Sequence, residues 1–155
     1  MQRQEREVTE VGKFEEILRS CDVCRIGMVD EGRAYVVPMS FGFTHKDGVF
    51  ECYFHGAAVG RKIDLLKKNS TVCLEFDTNY AIIEGKAACN FTSTFQSIIA
   101  YGKPVFLEGQ DKIYGLDVLM GQYSSRKDFT YPEKMLNSMA VYKIVIDEIT
   151  GKEHM

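Results

Sequence analysis

Between two runs of alternating apolar residues the chain carries Lys46-Asp47-Gly48. Asp-Gly suits a tight turn of positive φ, and such a turn returns a strand antiparallel to the one it left. The run before it, Ala34 to Phe43, puts Tyr35, Val37, Met39, Phe41 and Phe43 on one face, the period-two pattern of a half-buried strand. The run after it, Val49 to His55, is its partner. A tight hairpin here argues against a doubly wound parallel sheet, whose consecutive strands need helical crossovers. Pro38 lacks an N–H donor, which predicts an edge strand or a place where sheet pairing gives way.

The rest of the chain fits the same class. Phe14, Ile17, Leu18 and Cys21 fall at i, i+3, i+4 and i+7, so residues 11 to 20 read as an amphipathic helix. Val23 to Val29 reads as a short strand, and Asp30-Glu31-Gly32 as a turn. Arg61 to Lys68 reads as a short helix ending at Asn69. Further strands are expected over Thr71 to Asp77, Phe95 to Phe106 and Ala140 to Ile146, with residues 78 to 93 as a loop. Helices are expected over Asp111 to Tyr123 and Pro132 to Ser138. About six strands with few helices indicate a mixed-class β-barrel or sheet.

The 155 residues suit one domain, residues 1–155, large enough to bury a core without disulfide staples. Nineteen Lys plus Arg against 22 Asp plus Glu give a formal charge of −3, which argues against nucleic acid as a partner. The start, Met1 to Glu7, has no apolar leader segment, and no stretch approaches the roughly 18 apolar residues of a membrane span. A cytoplasmic location with reduced thiols is therefore expected. Cys21-Asp-Val-Cys24 is a C-x-x-C, but a zinc site needs a second pair of ligands at similar spacing. Cys52, Cys73 and Cys89 are solitary, and the histidines are scattered. A thioredoxin-type pair should open a helix after a strand, whereas this one follows a helix and leads into a strand. Packing is the preferred reading over a redox or metal role, and no metal site is expected.

One segment carries chemistry: Tyr53-Phe-His55-Gly56-Ala-Ala-Val-Gly60-Arg61-Lys62. A strand ends, small residues let a backbone approach a ligand, and a helix opens with two cations. The free N–H groups and dipole of the helix start, with Arg61 and Lys62, would hold a phosphate. The competing reading is a surface loop followed by a solvated basic helix, to which Lys67 and Lys68 lend weight. The spacing is not that of a P-loop, and no G-x-G-x-x-G is present. His55 ends the strand beside this loop as a candidate proton donor or positioning residue. No nucleophile elbow or Ser-His-Asp order supports hydrolase chemistry.

The chain resembles the flavin-binding split-barrel proteins related to pyridoxamine 5′-phosphate oxidase, and within them the nitroimidazole-resistance proteins. The resemblance rests on Arg6-Glu-Val, Cys21-Asp-Val-Cys-Arg25, Tyr35-Val-Val-Pro38-Met-Ser-Phe41-Gly and Tyr53-Phe-His-Gly-Ala57. It continues in Gly60-Arg-Lys-Ile-Asp-Leu-Leu66, Gln96-Ser97-Ile-Ile-Ala-Tyr-Gly102 and Glu148-Ile-Thr-Gly-Lys152. It implies a mainly β (α+β) fold, a six-stranded antiparallel split β-barrel with flanking helices. It also implies a homodimer with flavin mononucleotide (FMN) at the interface; the loop at 78–93 leaves room for FAD as the less favoured cofactor. By the same resemblance, Arg61 and Lys62 match the phosphate pair, with Gly60 before them. Phe54, His55, Gly56 and Ala57 match the strand end near the phosphate and ribityl chain. Val37, Pro38, Met39 and Ser40 match the strand along the ring, and Gln96 and Ser97 the strand that completes the site from the other subunit. The arginine-rich carboxyl-terminal signature of the vitamin oxidases is missing, since the chain ends Ile149-Thr-Gly-Lys-Glu-His154. The function implied is an FMN-dependent oxidoreductase acting on a small nitroimidazole or nitroaromatic molecule, with His55 as its catalytic residue. The alternative is a non-catalytic flavin-binding or redox-sensing protein.

Overall fold

The computed structural model describes residues 4–155. Met1–Arg3, the beginning of the segment examined for a leader, lie outside the described residues. Eight strands form one antiparallel sheet: β1 (Glu7–Val8), β2 (Cys24–Asp30), β3 (Arg33–Met39), β4 (Gly42–Lys46), β5 (Val49–Ala57), β6 (Val72–Ile83), β7 (Thr92–Leu107) and β8 (Met139–His154). The helices described are α1 (Val11–Ser20), α2 (Arg61–Lys68), α3 (Gly109–Tyr123) and α4 (Glu133–Ser138). The strand order is β3-β2-β6-β7-β8-β5-β4, with β1 added beside β8.

The sheet is a split barrel and is not closed. Its two edges, β3 and β4, are consecutive in the chain. The run expected as one strand, Ala34 to Phe43, therefore divides at Ser40-Phe41 and crosses from one edge to the other. That division, together with the two-residue β1, raises six expected strands to eight. Pro38 lies on edge strand β3, in register with Arg25, where its missing donor leaves no second partner unsatisfied. The crossing is pinned from α3. Tyr123 Oη accepts the Phe41 N–H at 2.9 Å and donates to the Asp22 carbonyl at 2.9 Å. The Phe41 ring is fully buried edge-on to Phe76.

Local signals place the turns. Asp47 and Gly48 have φ of 51° and 79°, and Glu31 and Gly32 repeat those values in the β2–β3 turn. The α2 boundaries, Arg61–Lys68, are those read from the sequence, and Asn69 caps its end. Residues 78 to 93 depart from the expected loop. β6 continues to Ile83 after an irregularity between Thr78 and Ala81. Asn79 takes a φ of 56° there and donates to Gln96 Oε1 at 2.6 Å. Such a bulge interrupts the alternation that betrays a strand. Beyond it β6 and β7 form a two-stranded ribbon on which Tyr80, Ile82 and Ile83 are exposed.

The main core fills the barrel. Ile26, Phe54, Leu74, Ile98, Tyr142 and Ile144 come from the strands, Ile17 and Leu18 from α1, and Ile63 and Leu66 from α2. Burying each such side chain contributes about 1.5–3 kcal/mol. A smaller cluster of Tyr53, Leu107, Leu116 and Val141 lies under α3. Cys21, Cys24 and Cys52 are buried in the main core. Burial pushes the Cys21 and Cys52 thiols up to about 12 and the Cys24 thiol well above its usual range. The C-x-x-C thus packs as expected, in protonated form. Among the described residues no helix is long and apolar enough to cross a membrane.

Candidate functional site

The opening in the sheet is where the candidate residues of β3, β5 and α2 meet. β5 ends in Phe54-His55-Gly56-Ala57, and the chain then turns through Gly60 into α2. Gly60 has a φ of 127°, a region that L side chains rarely adopt. Having no side chain, it caps none of the first-turn N–H groups of α2. The helix is held by Ile63, Leu65 and Leu66, all buried. This anchoring leaves Arg61 exposed and Lys62 half-buried.

The two cations differ in their surroundings. Arg61 Nε donates to Asp30 Oδ2 at 2.9 Å, and its guanidinium lies 4.4 Å from the centroid of the Tyr35 ring. It is already neutralised. Lys62 Nζ lies 3.0 Å from the Met39 sulfur, and a Cβ added at Gly56 would stand 3.1 Å from it. A thioether is a weak acceptor, and Lys62 has no carboxylate partner among the described residues. Burial alone holds its pKa below the usual lysine range. Lys62 thus bridges β3 and β5 across the split as an uncompensated positive charge.

A cleft of about 250 Å³ opens at this point, lined by Tyr35, Val37, Ala57, Val59, Gly60, Arg61, Lys62 and Ile63. Pro38 on the same edge strand and Ser40 just past its end are exposed. His55 is also exposed, in register with Val141. Packing around its ring lowers its pKa, and the Lys62 ammonium lowers it further, so it is uncharged at neutral pH. Phe54 is different: its side chain is fully buried and stacks on Tyr142, so only its backbone faces the site. Tyr35 and Asp30, which hold Arg61, escaped the sequence reading. Tyr35 shares the face of Val37 and Met39, which was the available signal.

Gln96 and Ser97 stand apart from this cleft. Met39 is in register with Cys24, Cys24 with Phe76, and Phe76 with Ile98. β7 is therefore three strands from β3, about 14 Å of sheet. Gln96 is buried, accepting from Asn79 and donating to Glu153 Oε2 at 2.9 Å. Within one chain neither residue reaches Lys62.

Comparison with known proteins agrees with this architecture. The family described as pyridoxamine 5′-phosphate oxidase matches residues 10–153. The chain is similar to a candidate 5-nitroimidazole antibiotic resistance protein from Bacteroides thetaiotaomicron, with 30% identity over 95% of this chain and 86% of that one, at a TM-score of 0.82. It shares its fold with the flavocytochrome Anf3 from Azotobacter vinelandii, at 20% identity over 96% of this chain and 69% of that one, with a TM-score of 0.80. The FAD and heme binding protein from Mycobacterium smegmatis also shares it, at 15% identity over 96% and 73% of the respective chains, with a TM-score of 0.84. No curated protein matches the sequence significantly. A split antiparallel barrel with a glycine-flanked cation pair at its opening, matched along nearly its whole length, belongs to the pyridoxamine 5′-phosphate oxidase family.

Proposed function

We propose that the protein is an FMN-dependent oxidoreductase that reduces small electron-poor molecules of the nitroimidazole or nitroaromatic type. The observation that carries this reading is Lys62, a half-buried ammonium without a counter-charge at the uncapped start of α2. A phosphate there would supply the missing negative charge and accept from the first-turn N–H groups of Arg61, Lys62 and Ile63. The residues present therefore fit the phosphate end of a flavin. Family membership supports the same group, as do the flavocytochrome and the FAD and heme binding protein that share the fold.

When bound, the flavin supplies the electron chemistry, and the chain binds and orients it. Lys62 holds the phosphate, and Gly56 leaves room for the ammonium. Val37, Pro38, Met39 and Ser40 offer the ring an edge without a competing N–H at Pro38. His55, uncharged at neutral pH, holds or moves a proton at its ring nitrogens beside the site. The similarity to the Bacteroides protein supports a nitroimidazole-type substrate.

The working unit in this reading is a homodimer. Val36 and Tyr101 are exposed on one row of the outer sheet face, in register through Gly27 and Cys73. A second copy covering this face would bring its Gln96 and Ser97 strand toward the flavin.

The visible absorption spectrum of the purified protein tests the cofactor, and anaerobic turnover of a nitroimidazole with a chemical reductant tests the activity. A flavin spectrum with turnover is expected. A colourless protein that takes up no added FMN overturns the reading. A yellow protein without turnover assigns it to the non-catalytic flavin binders.

A further inference from the structure

Ala57 and Val59 line the cleft at the sheet opening, whereas Ala58 between them lines another. This second cleft, about 310 Å³, lies between α2, the end of β7, α3 and the first residues of β8. Its walls are mixed: Phe106, Met139 and Ala140 stand beside Lys67, Glu108 and Asn137. Lys112 of α3 also lines it and is only 9% exposed.

The Lys112 ammonium donates to the Met139 carbonyl at 2.6 Å. An ammonium has three donors, and among the described residues the other two have no protein partner. No carboxylate pairs with it. Keeping such a charge out of water is unfavourable unless an opposite charge joins it. Lys67 stands near the mouth, its Nζ 5.6 Å from the centroid of the Phe106 ring. Glu108 lines the cleft too, but it is exposed and forms no ion pair with either lysine. Two cations against one carboxylate leave a net charge of one sign, suited to a monoanion. A hollow in which polar groups converge beside an apolar wall can seat a small molecule and fix its orientation.

We propose that this cleft binds a small organic carboxylate. The carboxylate would accept from Lys112, with Lys67 at the mouth, and the apolar body would lie against Phe106, Met139 and Ala140. The two clefts lie on either side of Ile63, whose side chain borders both, but neither Lys112 nor Lys67 lines the flavin cleft.

Benzoate and benzamide, alike in shape and different in charge, are titrated into the purified protein by calorimetry, with and without FMN. Benzoate is expected to bind at least about tenfold more tightly than benzamide. Lys112→Met and Lys67→Met should each reduce that preference, while FMN binding is unchanged. Equal affinity for the two probes, no binding of either, or a preference retained in the variants overturns the proposal. If Lys112→Met does not fold, Lys67→Met, at an exposed position, decides the question. Loss of benzoate preference with normal flavin binding refutes only this site. Failure to bind FMN with the preference intact refutes only the flavin reading.

Discussion

The Lys62 ammonium and the Met39 sulfur lie 3.0 Å apart across the opening of the sheet. This contact joins the start of α2 to an edge strand with which its own strand, β5, does not pair. It leaves the charge facing a soft, weak acceptor, so an incoming anion displaces little in order to bind.

Lys62→Met keeps the stem of the side chain and removes the charge. FMN affinity should fall by about 10- to 100-fold, the range expected for a lost charged hydrogen bond. Riboflavin, which has no phosphate, should bind both proteins alike. Fluorescence-quenching titrations with the two flavins measure both, and an equal loss for riboflavin would remove Lys62 as the phosphate ligand.

Asp30→Asn tests the state of Arg61. The Arg61 side chain is exposed and Asp30 only partly covered, so loss of the pair should lower Tm little. Freed from Asp30, the guanidinium can turn to a phosphate as a bidentate donor. FMN affinity should rise several-fold, and an unchanged affinity in the same titration would show that Arg61 plays no part.

His55 should titrate below its ordinary value of 6.5, chiefly because packing disfavours its charged ring and secondarily because of Lys62. The unfolded chain then takes up this proton first as pH falls. The stability associated with a neutral His55 is complete above 6.5 and declines as pH drops from there through the folded value. Lys62→Met should raise the midpoint without restoring it fully, since the packing remains. Imidazole C–H resonances followed by NMR report it directly, and an unmoved midpoint would contradict the proximity of the two groups.

Gly42→Ala addresses the fold rather than the site. A Cβ at Gly42 would collide with the Val118 carbonyl and with Leu119 of α3, both backbone and unable to step aside. A loss of about 2–4 kcal/mol is expected by urea denaturation. A variant as stable as the parent would mean that α3 does not seat on β4 as described.

Local signals carried well where their physics is local. Asp47-Gly48 and Glu31-Gly32 set turns through their own φ, and α2 was readable as Arg61 to Lys68, ending at Asn69. The extension of β6 to Ile83 was not readable, because the bulge at Asn79 breaks the two-residue period that marks a strand. The run from Ala34 to Phe43 looked continuous because Phe41 keeps the alternation, although its hydrogen bonds go to α3 instead of a strand.

The sequence by itself determined the antiparallel class, the hairpin at Asp47-Gly48, the helix that opens with Arg61 and Lys62, and a resemblance along the whole chain. Periodicity, turn chemistry and the order of motifs are written residue by residue. Only the tertiary structure decided that Ser40-Phe41 carries the chain between the two edges of the split. It alone separated Arg61, neutralised by Asp30 from another strand, from Lys62, left without a counter-charge between Met39 and Gly56. It also set Gln96 three strands from the cleft. Neutralisation and reach depend on residues distant in the chain, and folding alone determines which of them become neighbours.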